Sequence, residues 1–313
     1  MPDLPVDPIR LVTAWAGRPV TVTEIKGGLS HRIARVDTGD GECWLMRVLD
    51  PRVSEAGLGI PLEQEIANTA CAARGGVGPR VVHRIPDHPV LLLEFLDGRT
   101  LDAAAVRDPD MIPEIARACR RLHAGPRFAN DFSIFRKLEE LLALCHANGL
   151  PVPDGHADRL PVIADMERAL TRWPLPAVPC HNDLLPENFI AMADGSVRIV
   201  DYQLSGNHDP TFELGDIAAE ADYPPELVSL LAASYFGEHD RRLLARVRLY
   251  LAMSNFTWTL WFAVHHGLLS EQAAAADFDY AAEAADKFQQ AVRDMDDPGF
   301  GRLIDDVRGL PPV

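Results

Sequence analysis

The pattern of hydrophobic residues changes near Asp97-Gly98, and this change limits the folds open to the chain. Before it, short runs rich in β-branched residues alternate with turn residues, which is typical of strands. The alanine-rich stretch 62–74, which ends at Gly75-Gly76, predicts a helix instead. The five predicted strands are PVTVTEI at 19–25, RIARVDT at 32–38, CWLMRVL at 43–49, RVVHRI at 80–85 and VLLLEFL at 90–96.

After this point the spacing of apolar residues is helical. The exception is the run 178–203, where FIAM, a DG turn and VRIVDY predict a small hairpin. The sequence therefore predicts an α+β fold of two lobes with a cleft between them. Residues 1–96 would form an N-terminal lobe with an antiparallel sheet and one helix, and residues 97–313 a larger, mainly helical lobe. The predicted helices span 111–124, 133–148, 157–172, 224–236, 240–267 and 271–293.

The charge balance favours positively charged ligands. The chain has 46 acidic and 30 basic side chains, a net charge of −16, which repels nucleic acid and anionic membranes and attracts small cations. Solubility alone is the simpler explanation for many of these charges. The five cysteines lack paired spacing, which indicates reduced thiols rather than disulfides or a zinc site. With no signal pattern at the N-terminus and no membrane-length apolar run, we expect a cytoplasmic protein without nucleic-acid or membrane partners. No feature indicates an oligomeric state.

The segment HNDLLPENFIAMADGSVRIVDYQ carries the strongest signal for chemistry. Asp183 is followed by Asn188, and Asp201 ends the strand VRIV thirteen residues later. A turn built from ordinary turn residues would explain each of them singly. Taken together, an acid that orients a hydroxyl and two oxygen ligands for Mg²⁺ are the parts that phosphoryl transfer from a nucleotide needs.

This loop, HxDxxxxN followed by a hairpin and an Asp, resembles that of the aminoglycoside phosphotransferase and choline/ethanolamine kinase superfamily. The resemblance implies a protein-kinase-like fold that uses ATP and Mg²⁺. It also implies that Asp183 is the catalytic base, that His181 supports the loop backbone, and that Asn188 and Asp201 hold the metal.

The N-terminal lobe should then bind the nucleotide. Gly27, Gly28 and Ser30 lie between two strands, where glycines let backbone N–H groups approach phosphates, although a plain hairpin turn has the same look. No lysine lies on the third strand, so Arg47 is the candidate for the phosphate-binding cation, as in choline kinase relatives. The resemblance pairs it with Glu65, with Glu63 as the competitor, and implies adenine binding near Glu94 and Leu96.

The acceptor site is predicted from aromatic residues. Trp258 and Trp261 are three apart and share one face of a helix, which by itself more often means core packing. A cage for a quaternary ammonium needs aromatic faces and acids. The resemblance to choline/ethanolamine kinases extends from about residue 27 to 293 and favours such a cage, with choline or a related amino alcohol such as ethanolamine as acceptor. The further residues that it implies are Glu220, Tyr223, Tyr280 and Gln203.

Two other functions fit the same motifs. An aminoglycoside phosphotransferase would also suit the negative charge, but it would bind a polycation mainly through carboxylates. A pseudokinase that binds nucleotide without turnover would keep the fold, and the intact Asp183, Asn188 and Asp201 weigh against it.

Overall fold

The computed structural model describes residues 18–25, 30–85, 88–269 and 278–309. Five strands form one antiparallel sheet in the order β1-β2-β3-β5-β4, so β3 is central. A three-stranded sheet, β6-β8-β9, and the pair β7-β10 follow later in the chain. The strands are β1 (Val20–Ile25), β2 (Arg32–Thr38), β3 (Cys43–Val48), β4 (Val81–Arg84), β5 (Val90–Glu94), β6 (Arg99–Thr100), β7 (Val178–Cys180), β8 (Phe189–Ala191), β9 (Val197–Ile199) and β10 (Gly206–His208).

Helices dominate the chain after β6. The helices are α1 (Pro51–Glu55), α2 (Leu62–Arg74), α3 (Ala103–Val106), α4 (Ile112–His123), α5 (Ile134–Asn148), α6 (His156–Arg172), α7 (Pro210–Glu220), α8 (Pro225–Phe236), α9 (Arg241–Leu269), α10 (Tyr280–Met295) and α11 (Phe300–Arg308). The longest, α9, has 29 residues and is buried along most of its length. It packs against α7 and α10 and so forms the centre of the helical part.

Arg47 is the buried cation of the five-stranded sheet, and the alternation of side chains along β3 determines which face of the sheet it lies on. Successive residues of a strand face opposite sides. The register pairs Leu45 with Leu93 and Arg47 with Leu91, so these four residues share a face. Leu62 and Ile66 of α2 pack on that face. Arg47 therefore points from the central strand towards α2.

The segment between β3 and α2 packs away from the sheet. Val53 of α1 and Leu58 are buried in the same hydrophobic cluster as α5, α6, α9 and α10. The sheet has its own smaller cluster, which includes Ala34, Val36 and Leu92. Residues 51–60 thus belong to the helical core by packing, although they come from the first third of the chain.

The predicted α+β, protein-kinase-like fold class is confirmed. Strand β2 and helix α2 have the predicted bounds, and the hairpin β8-β9 lies within the run 178–203. The last predicted helix, 271–293, begins at Tyr280 in the described chain, and residues 271–277 lie outside the described residues. All five cysteines are free. Across the described ranges, every helix is too short or too polar to cross a membrane.

Helix α7 was not predicted from the sequence. Ten of its eleven residues are buried, from Pro210 to Ala219. Its Gly215 lies against the backbone of α9, where an added Cβ would come within 2.7 Å of the Leu251 nitrogen and 2.8 Å of the Val247 oxygen. The two helices therefore approach each other more closely than any side chain at 215 would permit.

We predict that Gly215→Ala destabilises the protein by about 3 kcal/mol, because backbone atoms of α9 cannot yield to the new methyl group. Gly301→Ala is the matched control, since Gly301 lies in helix α11 and nothing lies within 4 Å of an added Cβ. Alanine there should be neutral or stabilise the helix slightly. Chemical denaturation of the three proteins measures both effects, and equal free energies of unfolding for the two variants would contradict the close approach.

Candidate active site

The loop 181–188, hereafter the catalytic loop, is held in place by two carboxylates of helix α7. Glu213 accepts hydrogen bonds from the backbone N–H groups of His181 and Asn182, both at 2.8 Å. Asp216 accepts one from the N–H of Leu184 at 2.7 Å. Asn182 has a φ of 66°, a left-handed conformation that asparagine tolerates better than most residues. Three backbone N–H groups of the loop, on either side of Asp183, are thereby held in place.

The charge of Glu213 is maintained by its partners. Burial acts to raise the pKa of Glu213, but hydrogen bonding and charge interaction with His123, together with His181, hold that pKa below its usual range. The ring of His181 donates from Nε2 to the backbone oxygen of Val200 at 2.8 Å. Burial lowers the pKa of His181, which keeps the ring neutral. His181 thus connects the catalytic loop to the segment that carries Asp201.

Asp183 is an acid in unusual surroundings. Burial, followed by the charges of Asp216, Glu220 and Asp201, raises its pKa well above the usual range, and Lys287 acts in the opposite direction. Raised carboxylate pKa values of this kind are typical of proton-transferring groups in active sites. Asp183 is therefore a carboxyl group whose surroundings disfavour its ionised form.

Asn188 and Asp201 lie beside Asp183, as predicted. The amide of Asn188 donates from Nδ2 to the backbone oxygen of Asp183 at 2.8 Å, which leaves the amide oxygen as an acceptor. Asp201 has a φ of 71° and follows β9 closely in the chain. Such a conformation is uncommon for a residue other than glycine and is found where function demands it.

Arg47 joins the first sheet to this group. Its guanidinium contacts Asp201 Oδ1 and lies 3.2 Å from Glu65 Oε1. Arg47 and Glu65 are almost fully buried, with 5% and 3% of their surfaces exposed. Burial raises the pKa of Glu65 to about 7, against the opposing effect of Arg47. The competitor Glu63 pairs instead with the exposed Arg84, so the structure places Glu65 in the predicted contact.

A cavity of about 410 Å³ brings the predicted metal ligands together with Asp183 and with most of the predicted acceptor residues. The three catalytic-loop and metal candidates line it beside an aromatic wall, which consists of Trp258, Trp261, Phe262 and Phe278. The other predicted residues that line it are Ser30, Gln203 and Glu220. Gln203 bridges two parts of the site, because its Nε2 donates to Ser30 Oγ at 3.2 Å and to the Leu58 oxygen at 3.3 Å.

The two tryptophans are fixed by hydrogen bonds from their indole nitrogens. Trp258 donates to Asp216 Oδ1 at 3.0 Å, and Trp261 donates to the Leu58 oxygen at 2.9 Å. Ser254 also donates to Asp216 Oδ1, at 2.7 Å. Asp216 therefore connects the aromatic wall directly to the catalytic loop.

Two predicted acceptor residues do not line this cavity. The hydroxyl of Tyr223 donates to the Val106 oxygen, and its side chain borders a separate cavity near Arg248. The expectation that Tyr223 takes part in acceptor binding is corrected accordingly, because α7 ends at Glu220 and Asp222, with a φ of 43°, turns the chain away. Tyr280 lies behind the aromatic wall, with its ring 4.8 Å from that of Phe278.

The predicted nucleotide residues are only partly brought together. Glu94 ends β5 and accepts from the N–H of Arg80 at 3.1 Å. Leu96 follows it, and its backbone oxygen accepts from Gly98 N–H at 2.9 Å. Neither lines the 410 Å³ cavity. Gly27 and Gly28 lie outside the described residues.

The predicted set lacks several residues of the site, among them Asp216, Phe262, Phe278 and Glu283. Phe262, Phe278 and Glu283 line the cavity, while Asp216 lies beneath it. Helical spacing could have found Phe262 and Glu283, since Phe262 lies four residues after Trp258 and Glu283 three residues after Tyr280. Asp216 could not be distinguished from a solvated helix residue without knowing that α7 is buried.

The donor atoms at this site fit a hard divalent cation. Asn188 has a free amide oxygen, and Arg47 engages one of the two carboxylate oxygens of Asp201. Both side chains line the cavity beside Asp183. Mg²⁺ takes oxygen ligands, and among the residues that the structure describes neither a cysteine nor a histidine lines the cavity.

The comparison with known proteins agrees with this geometry. The phosphotransferase enzyme family matches residues 21–250, which is well over half of the chain. The chain belongs to this family. The match includes the catalytic loop, Arg47, Glu65 and Asp201, and it ends within helix α9.

Individual relatives are similar across most of the chain. Ethanolamine kinase 2 of the rat is 24% identical over 306 residues, which cover 88% of this chain and 76% of the relative. Probable choline kinase 2 of Arabidopsis thaliana is 25% identical, covering 87% and 85%. The solved structure of a choline/ethanolamine kinase family protein from Mesorhizobium loti superposes with a TM-score of 0.82 at 26% identity, covering 96% of each chain. Within this family, the chain is thus similar to choline and ethanolamine kinases.

We predict that Arg47→Met destabilises the protein by about 3 kcal/mol at pH 8, because Glu65 would lose its buried cationic partner. The pKa of Glu65 is already raised, and loss of Arg47 would raise it further. Glu65 is ionised in the folded protein only above that pKa, and only the ionised form needs a cationic partner. The destabilisation should therefore shrink as the pH falls to 5.5 and Glu65 becomes protonated. Chemical denaturation at both pH values measures the change.

Arg84→Met is the control for this measurement. Arg84 and its partner Glu63 are exposed, with 44% and 68% of the two side chains accessible. We therefore expect the free energy of unfolding to change by less than about 1 kcal/mol. A similar loss for the two variants, or a loss in Arg47→Met that does not depend on pH, would contradict the buried arrangement.

Proposed function

We propose that the protein transfers the γ-phosphoryl group of ATP to the hydroxyl of a small amino alcohol, choline or ethanolamine, in the presence of Mg²⁺. One observation carries this proposal. The cavity that contains Asp183, Asn188 and Asp201 is also lined by four aromatic residues and by Glu220. Phosphoryl-transfer groups and a wall suited to an organic cation thus share one space, of a size that fits a small acceptor.

The nucleotide is assigned to the N-terminal lobe, residues 1–96. Arg47 can bind phosphate oxygens as a planar fork, and Glu65 orients it from α2. Gly27, Gly28 and Ser30 are assigned to the phosphates, and the backbone from Glu94 to Leu96 to the adenine. The acceptor is assigned to the C-terminal lobe, residues 97–313, where the catalytic loop and the aromatic wall lie.

Asp183 is proposed to accept the proton of the acceptor hydroxyl. Its acidic neighbours raise its pKa and make it a stronger base, and the positive charge of an ammonium bound in the cavity would act in the opposite direction and favour its ionised form. Asn188 and Asp201 would hold Mg²⁺, which neutralises charge on the phosphates when it is bound.

The aromatic wall is proposed to bind the ammonium group of the acceptor. Cation–π attraction contributes about 0.5–2 kcal/mol per ring and needs no N–H donor, so it serves choline and ethanolamine alike. An aminoglycoside acceptor is less suited to this wall, because a polycation is bound mainly by several carboxylates. The family relatives named choline and ethanolamine kinases support the smaller acceptor.

We predict that Asp183→Asn lowers turnover about 10³-fold with little change in nucleotide affinity, because an amide cannot accept the hydroxyl proton. Asp194→Asn, in the exposed turn of the β8-β9 hairpin, is the matched control and should retain full turnover. ADP release with Mg·ATP and either choline or ethanolamine measures this. Turnover retained in Asp183→Asn would exclude Asp183 as the base.

The pH dependence of the wild-type enzyme gives a second readout. Burial and the neighbouring acids raise the pKa of Asp183, so the ionised base is lost at a pH above the usual aspartate range. We therefore expect kcat to fall on the acid side earlier than an ordinary aspartate would cause.

We predict that Trp261→Leu raises the KM of the acceptor about tenfold and leaves the KM of ATP nearly unchanged, because one cation–π face is removed. Trp261 is preferable to Trp258 here, since the indole of Trp258 also holds Asp216. Trp173→Leu is the control: this half-buried tryptophan donates to the Gly309 oxygen at 2.9 Å, away from the cavity. An unchanged acceptor KM in Trp261→Leu would remove the aromatic wall from the site.

A further inference from the structure

A buried lysine lies next to the acceptor part of the cavity. Lys287 of α10 is 2% exposed, and its Nζ lies 2.8 Å from Glu220 Oε1 at the end of α7. Lysine is among the residues least often buried without a partner, and the chain has only three. The side chain of Glu220 is 6% exposed, so the two charges neutralise each other in a largely dry environment.

Glu283 occupies a different position on the same helix. It lies one turn before Lys287 and lines the cavity together with Glu220. Among the residues that the structure describes, no cation lies within ion-pair distance of its carboxylate. Burial raises the pKa of Glu283, and Lys287 acts in the opposite direction. Glu283 is thus a carboxylate available to a ligand.

The other acids in or near the cavity are less suited to pair with an ammonium group. Asp183 and Asp201 belong to the catalytic group, and Arg47 already contacts Asp201. Glu187 is exposed on the catalytic loop, where solvent and salt screen its charge. Asp216 accepts hydrogen bonds from Leu184, Ser254 and Trp258 and does not line the cavity.

We propose that Lys287 determines acceptor specificity by neutralising Glu220, so that Glu283 is the carboxylate that pairs with the ammonium group. This inference rests on the proposed function. One available carboxylate beside an aromatic wall matches an acceptor with one positive charge. A second ammonium on the acceptor would find Glu220 already paired with Lys287, and this lack of a second free carboxylate selects against doubly charged amino alcohols.

Direct binding tests the proposal without relying on turnover. Calorimetry compares choline, which has one fixed charge, with 1,3-diaminopropan-2-ol at neutral pH, where it is mainly doubly charged. Wild-type protein should prefer choline. Lys287→Met frees Glu220 and should shift the affinity ratio towards the diamine by about tenfold. Glu283→Gln should weaken choline binding by about tenfold.

A charge-balanced variant guards against misfolding. Lys287→Met combined with Glu220→Gln removes both partners of the buried pair at similar volume, and replacing both is far less costly than removing one. This double variant should lose less choline affinity than Glu283→Gln does, since Glu283 is unchanged. If Glu220 were the ammonium ligand instead, the double variant would lose choline binding, and the proposal would be overturned.

The experiments distinguish a failure of the proposed kinase function from a failure of the proposed role of Lys287. Cation binding with the expected ratios but no ADP release would refute the proposed kinase function and retain the role of Lys287. Turnover of choline with an affinity ratio that Lys287→Met does not alter would refute the role of Lys287 and retain the kinase. Wild-type protein that binds neither cation would overturn the specificity proposal outright.

Discussion

The buried helix α7 determines the geometry of everything around it. Its two carboxylates, Glu213 and Asp216, together accept three backbone N–H groups of the catalytic loop, so the loop cannot shift without leaving charged groups unpaired in the interior. The helix reaches this position because Gly215 allows its backbone to touch that of α9. The position of Asp183 thus depends on Gly215, which has no side chain, and on the two buried acids that hold the loop around it, rather than on contacts of Asp183 itself.

The same helix explains how the acceptor region and the reacting groups are kept in register. Asp216 binds Leu184 of the loop through one oxygen and Trp258 of α9 through the other. Burial, then Glu220, raises the pKa of Asp216 to about 7, while these donors act to lower it. An aromatic surface for an organic cation and a base for its hydroxyl are therefore connected through a single side chain, which limits the distance between the two groups of any acceptor.

The sequence predicted the long helices and the elements bounded by turn residues, but it missed a short buried helix. Helix α2 has the predicted bounds because its alanine-rich run ends at two glycines. Helix α7 was missed because nearly every residue is buried, so no amphipathic pattern exists. The pairing of Arg47 was left between Glu63 and Glu65, which lie on opposite sides of a helix, and only the face that meets the sheet decides it. Tyr223 was misplaced because its position depends on a turn at Asp222 whose conformation no propensity indicates.

The packing of residues 51–60 has a mechanical consequence. Leu58 lies in the core of the helical part, and its backbone oxygen accepts from both Trp261 and Gln203. In any hinge motion that widens the cleft, this segment would travel with the helices while the five-stranded sheet moves as the other rigid body. The pivot would then lie at the two ends of the segment, near Asp50 and Pro61, as well as at the single crossing after β5. The chain would then cross between the sheet and the helices at three places instead of one. These three connections would restrict the sheet to rotation about a common axis and suppress its twisting against the helices.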